Sequence, residues 1–253
     1  MTVLETQGLS RFFGGLKAVA NFNLKLEERE LVGLIGPNGA GKTTVFNLIT
    51  GMYAPSAGEV RFLGQPVSGL RPYRIAQRGV ARTFQNIRLF KELSVLDNVR
   101  IAYHFRSQAG FFASVFRLPR FRHEEQAIRE RALEMLATVG LENRQGELAK
   151  NLPYGEQRRL EVARALVSSP RLLLLDEPAA GMNPFEAGRL MELITAIREQ
   201  FKLTILMIEH QMRVVMGICE RVVVMDFGET IAEGRPEQVQ SDPKVIEAYL
   251  GKE

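Results

Sequence analysis

The stretch from Glu30 to Thr44, ELVGLIGPNGAGKTT, constrains this chain more than any other. ELVGLI reads as a short strand. The run Gly36-Pro37-Asn38-Gly39-Ala40-Gly41-Lys42-Thr43-Thr44 matches the phosphate-binding loop pattern, and apolar residues at helical spacing follow to about residue 51. Glycines between a strand and a helix let successive backbone N–H groups turn inward around a β-phosphate, where the helix N-terminus adds positive potential. Lys42 then supplies a mobile charge for the β- and γ-phosphates, and the Thr43 hydroxyl a ligand for Mg2+. Such a pattern arises by chance in roughly one chain of this length in a hundred. The strand before it and the helix after it lower that figure.

A second run, Leu172-Leu173-Leu174-Leu175-Asp176-Glu177, is apolar and ends in two carboxylates. This is the form of a buried central strand that delivers acids at its C-terminal edge, where a phosphate loop also lies. There Asp176 would orient Mg2+ through water, and Glu177 would polarise the attacking water as general base. Taken alone, an acidic pair after a strand is an ordinary helix N-terminal decoration; the loop already assigned gives it chemistry. Phe13, just before Gly14-Gly15, is the candidate to cover adenine with its aromatic face. Phe12 can exchange roles with it, and a core aromatic in an edge hairpin is the plain alternative.

Strands are expected at 2–7, 22–26, 30–35, 58–62 and 80–84, and a helix at 124–139. The strand RLLLLDEP, a helix at 184–201, LTILMIEH, a short helix at 211–218, RVVVMDFGE and a small helix at 244–250 complete the chain. Alternating strands and helices imply a mostly parallel sheet covered on both faces. The helical middle interrupts that alternation and returns to it at both ends. The expected organisation is one α/β domain over 1–253: a nucleotide-binding core of 1–85 and 166–253, and an inserted helical subdomain at about 86–165.

Composition excludes other classes. The chain has 253 residues, 45% of them apolar and 25% charged, and no window nears the ~18 uninterrupted apolar residues of a membrane span. The N-terminus lacks an apolar export segment, so a cytoplasmic location is expected. Its one cysteine, Cys219, lies in an apolar stretch as a buried thiol, and its three histidines lack zinc-ligand spacing. A net charge of +4 without a basic run or an aromatic-rich module argues against nucleic acid as a partner.

The segment Leu152-Pro153-Tyr154-Gly155-Glu156-Gln157-Arg158-Arg159, preceded by Asn151 and followed by LEVARAL, resembles the signature of ABC ATPases. Thr83-Phe84-Gln85 resembles the Q-loop of that family, Ala179-Ala180-Gly181-Met182-Asn183 its D-loop and Ile208-Glu209-His210 its switch-histidine strand, all in family order. The resemblance implies a phosphate-loop ATPase core with an N-terminal antiparallel β portion and a head-to-tail dimer. In that dimer the phosphate loop of one subunit and the signature helix of the other close over each ATP. It further implies that His210 contacts the γ-phosphate, and that Gln85 contacts Mg2+ and reports to a transmembrane partner.

The Leu-Pro-Tyr-Gly signature, EPAAGMNP, IEHQM and the terminal VIEAYLG resemble the larger ATP-binding subunit of bacterial branched-chain amino acid importers. This implies a paralogous ATP-binding subunit as partner, or a second copy for the isolated chain. It also implies two permease chains, a periplasmic amino-acid-binding protein acting indirectly, and a peripheral place on the cytoplasmic face of the inner membrane. Other transport ABC ATPases, lipid export among them, and non-transport ABC switches are the rivals. The chain departs from the usual signature at Pro153 and Tyr154, where Ser and Gly are customary, and at Asn183, where Asp is. Pro153 offers neither hydroxyl nor N–H to a phosphate. A partner with a fuller signature would then make the site built on Lys42 and Glu177 the better hydrolytic one. The segment 105–122, rich in Phe and Arg, reads as a surface-hugging insertion, with anionic headgroups or a permease loop as the alternative.

Overall fold

A computed structural model describes residues 1–103 and 119–250. Two compact units divide it, one of residues 1–85 and 171–253, the other of residues 86–170.

The first unit holds two sheets. Strands β1 (Thr2–Phe13), β2 (Leu16–Glu27), β4 (Ala57–Phe62) and β5 (Gln65–Pro66) form an antiparallel sheet in the order β2-β1-β4-β5. β1 and β2 run well beyond the expected 2–7 and 22–26. The reason is local: register shifts interrupt their alternation, Gly8 and Asn21 take positive φ, and the Asn23 side chain accepts the Gly8 amide at 2.8 Å. The bulges hide the period of two, and Gly14-Gly15 closes the hairpin as a two-residue turn.

The second sheet has the order β10-β9-β3-β8-β7-β6, from β3 (Leu31–Ile35), β6 (Val80–Arg82), β7 (Leu172–Asp176), β8 (Thr204–Ile208), β9 (Arg221–Asp226) and β10 (Glu229–Gly234). All its pairings are parallel except β9 with β10. Every residue of β3, β7 and β8 is buried, as apolar runs must be when both faces of a sheet are covered. Helix α1 (Lys42–Ile49) leaves β3, and α2 (Pro72–Gln77), too short and polar to show a period, precedes β6. Helices α6 (Pro184–Phe201) and α7 (Met212–Ile218) follow β7 and β8, and α8 (Pro236–Gln240) and α9 (Pro243–Leu250) close the described chain. One apolar core, with Phe22, Phe46, Phe62, Leu34, Leu174 and Ile208, joins both sheets and α1.

The second unit is built from α3 (Val95–Tyr103), α4 (Pro119–Thr138), α5 (Tyr154–Leu166) and two short 3-10 turns. Val99, Ile128, Met135, Leu136 and Leu160 are buried there. Asn98, fully buried, ties down the loop before α3: its Oδ1 accepts the Phe90 amide at 2.9 Å, and its Nδ2 donates to Phe90 O at 2.9 Å and Ser94 O at 3.0 Å. The Phe/Arg-rich segment lies outside the described residues, except that 119–122 open α4.

Candidate functional site

The strand order places the site. β3 has β9 on one side and β8 on the other, and β7 is next; in register Leu34 faces Ile208, and Ile208 faces Asp176. The loop after β3 and the residues after β7 and β8 therefore leave one sheet edge side by side, the place where parallel sheets bind ligands.

Gly36 (φ 145°) and Gly41 (φ 102°) make the loop possible. A Cβ at Gly36 would lie 2.0 Å from Met225 O, and one at Gly41 would lie 2.3 Å from Ala18 O. Ala40 is pinned between Pro37 O, which accepts its amide, and the β9–β10 turn, whose Gly228 amide donates to Ala40 O at 3.0 Å. Pro37, Asn38 and Gly39 line a cavity of about 590 Å³ together with Phe227, Lys244 and Ala248, so the last helix reaches the loop. Lys42 is buried, and its Nζ donates to Gly36 O at 2.6 Å and Pro37 O at 2.9 Å. Burial pushes its pKa down, while Glu177 and Asp176 pull it back up. Thr43 is exposed and Thr44 half-buried on the first turn of α1.

Glu177 follows β7 with φ 47°, a left-handed conformation that costs a non-glycine residue about 1–2 kcal/mol. Its amide donates to Ile208 O at 2.9 Å, which fixes the turn to β8. Gln85 Nε2 donates to Glu177 Oε2 at 2.8 Å, and His210 Nδ1 stands 3.6 Å from the same oxygen. Glu177, Gln85 and His210, from three segments, come together around one carboxylate.

Sequence reasoning missed the residues behind them. Arg82 donates to Asp176 Oδ2 at 2.7 Å and to Asn47 Oδ1 at 2.7 Å, and the pair is 7% and 5% exposed. Removing one member of so buried a pair costs about 3–5 kcal/mol. Glu209 is fully buried; its Oε1 accepts the Ala179 amide at 3.0 Å and its Oε2 the His210 amide at 3.2 Å, and burial raises its pKa. It joins the turn after β7 to the turn after β8. Asn183 caps α6: its Oδ1 accepts from Phe185 N and Glu186 N, and Glu186 answers by accepting the Asn183 amide. That box was legible as Asn-Pro-x-Glu.

Oxygen donors suit a hard cation: the Thr43 hydroxyl, the Gln85 amide oxygen, whose nitrogen is turned to Glu177, and the Asp176 carboxylate. Among the described residues no cluster of three or more His, Cys, Asp or Glu forms a cage. A small acid count completed by phosphate oxygens is the usual Mg2+ arrangement.

Phe13 is 39% exposed, with the Arg11 guanidinium 4.6 Å over its ring and Tyr53 edge-on at 5.3 Å. Phe12 is equally exposed. In the second unit Pro153 stands at the N-cap of α5 without a side-chain cap. Tyr154 Oη accepts from buried Arg158, and Gln157 donates to Leu152 O at 2.8 Å. Glu156 lies 3.6 Å from both Arg144 and Arg159. Cys219 is buried and its thiol pushed up to about 12 by burial. Among the described residues no helix is long and apolar enough to cross a membrane.

Residues 19–180 match the family model for the ABC transporter, and residues 229–253 match that for the branched-chain amino acid ATP-binding cassette transporter. The chain is 48% identical over 250 residues to the high-affinity branched-chain amino acid transport ATP-binding protein BraF of Pseudomonas aeruginosa, covering 99% of this chain and 98% of that one. It also resembles the solved ADP form of MJ1267, an ATP-binding cassette of an ABC transporter (TM-score 0.87, 31% identity, full coverage of both chains). The dimeric cassette MJ0796 bound to ADP and Pi is similar as well (TM-score 0.77, 25% identity, 92% of this chain and 98% of that chain).

Proposed function

The chain belongs to the ABC transporter family as an ATP-binding subunit, and on that premise we propose that it hydrolyses ATP to drive import of branched-chain amino acids through separate membrane chains. The observation that carries the chemistry is the convergence of Lys42, Glu177, Gln85 and His210 on one sheet edge. Backbone N–H groups from Asn38 to Thr44 cradle the β-phosphate, and Lys42 leaves its loop carbonyls for the β- and γ-phosphates. Glu177 accepts the proton of the attacking water as its oxygen bonds to the γ-phosphorus and the bond to the ADP oxygen breaks, giving ADP and phosphate. Gln85 donates to Glu177 Oε2, and His210, with its Nδ1 3.6 Å from the same oxygen, is placed to contact the γ-phosphate and help hold the water. Thr43, Asp176 and Gln85 would hold Mg2+, which when bound neutralises charge on the bridging phosphate oxygens. Phe13, the exposed aromatic ring beside the hairpin turn, covers the adenine.

The second half of each site comes from another subunit. Leu152 to Gln157 open α5 toward a partner's triphosphate, offering backbone donors and helix dipole in place of a serine hydroxyl. A paralogous subunit is the partner the altered signature favours, on the cytoplasmic face of the membrane beside two permease chains. The transported leucine, isoleucine or valine touches none of these residues.

Leucine-stimulated phosphate release by the assembled complex tests this reading. Glu177→Gln should lower it about 100-fold or more while MgATP binding persists. Hydrolysis at the unaltered rate would overturn it, and a fall matched by the equivalent change in the partner would remove the inequality of the two sites.

A further inference from the structure

We propose that Arg82 is a positioning residue for ATP hydrolysis: it clamps Asp176 to the helix that begins at the phosphate loop, so that one carboxylate oxygen stays turned to the metal. The inference rests on the site assignment above.

Arg82 ends β6, at the edge of the parallel sheet next to β7. One terminal nitrogen donates to Asp176 Oδ2 at 2.7 Å, the other to Asn47 Oδ1 at 2.7 Å on α1. The guanidinium carbon lies 5.3 Å from the Phe46 ring centroid and 4.9 Å from that of Phe84. Held by Asp176 and Asn47 and shut away from water, the side chain fixes the carboxylate oxygen it binds. Thr83, the next residue, accepts the Asp176 amide at 3.4 Å. With Oδ2 engaged, Oδ1 is the oxygen that a metal-bound water would use.

The fork matters as well as the charge. A lysine reaches one acceptor well but does not present two parallel terminal nitrogens to acceptors on different segments. The clamp also keeps two charges in their separate roles. Lys42 feels both Asp176 and Glu177, so an untethered Asp176 would turn to the lysine and draw it from the phosphates. Arg82 satisfies one oxygen of the acid and leaves Lys42 for the nucleotide.

The test is the Mg2+ dependence of nucleotide binding by the full chain, read with a fluorescent ATP analogue during Mg2+ titration and again in EDTA. Arg82→Met should raise the Mg2+ concentration for half-maximal tightening about 10–100-fold, as loss of a residue behind a metal ligand does, while affinity in EDTA stays within about threefold. Asn47→Ala should move it the same way by less, and Arg82→Lys should lie between. An unchanged or lowered Mg2+ requirement in Arg82→Met overturns the proposal. If that variant does not fold, Arg82→Lys decides on the same criterion. Asp176→Asn separates the two claims: were it to keep the normal Mg2+ dependence, the assignment of Asp176 itself would fail, whatever Arg82 does.

Discussion

The helices α1 and α5 both start where a nucleotide is proposed to sit, and they are made in opposite ways. α1 opens from Gly41 in a left-handed conformation, behind a loop whose glycines have no room for a side chain, and its first residue is a buried lysine drawn by two acids. α5 opens from Pro153, with no side-chain cap. Arginines at its start are engaged at home: Arg158 with Glu161 and the Tyr154 hydroxyl, and Arg159, together with Arg144 from an earlier turn, with Glu156. One helix start concentrates charge chemistry, and the other offers backbone and shape. In the proposed mechanism the groups that move protons and neutralise phosphate all belong to the first unit, so a departure from the usual signature would leave them in place.

The sharpest way to break this comparison is to put an unpaired charge at the start of α5, whose own first-turn acid, Glu156, stands between Arg144 and Arg159. Gly155→Asp places a carboxylate on the first turn, against a partner's triphosphate. Like charges so placed cost several kcal/mol, so turnover of the assembled complex should fall on the order of 100-fold. MgATP binding by the isolated chain should stay as it is. Equal losses in both assays would mean that the start of α5 serves its own chain's nucleotide, and the division would fail.

A smaller effect probes the buried polar groups that hold the catalytic edge. Burial raises the pKa of Glu209 above the ordinary carboxylate value of 4.5, opposed by backbone amides including those of Ala179 and His210. The folded chain therefore holds this proton more tightly than the unfolded chain does. The associated stability is fully present below pH 4.5 and is lost as pH rises through the raised value. Glu209→Gln should remove that slope, so the wild type should lose ground to the variant across this window in denaturant titrations. Parallel curves for Glu209→Gln and the wild type would refute the role given to the buried acid.

Much of the site was legible because its parts are linear: a phosphate loop after a strand, two acids after another, a histidine after a third. What sequence could not show were partners of distant segments. Asn47, Arg82 and Asp176 meet only because β6 pairs with β7 and α1 packs nearby, and nothing in the pattern of ARTFQ marks its arginine as buried. Glu209 looked like the neighbour of a histidine until its burial appeared. In the fold, the parallel strands were readable from unbroken apolar runs, whereas β1 and β2 were cut short by bulges and α2 had too few residues to declare a period.

The smallest effect contrasts a capped helix with an uncapped one. Asn183→Ala removes both hydrogen bonds that Asn183 accepts at the start of α6, and should lower stability by about 1 kcal/mol in denaturant unfolding. The reverse change is Pro153→Ser in α5. With Glu156 at the third helical position it would write a Ser-x-x-Glu capping box where none exists, a gain of roughly 0.5–1 kcal/mol. Removing proline, however, frees the unfolded chain by about 0.4–1 kcal/mol. The two terms nearly cancel, so the variant should unfold within about 0.5 kcal/mol of the wild type. Its new hydroxyl should nonetheless raise turnover at the partner's nucleotide, because a neutral donor is added where Pro153 has none. A clear stability change without any change in turnover would mean that this helix start is chosen for folding and not for the nucleotide.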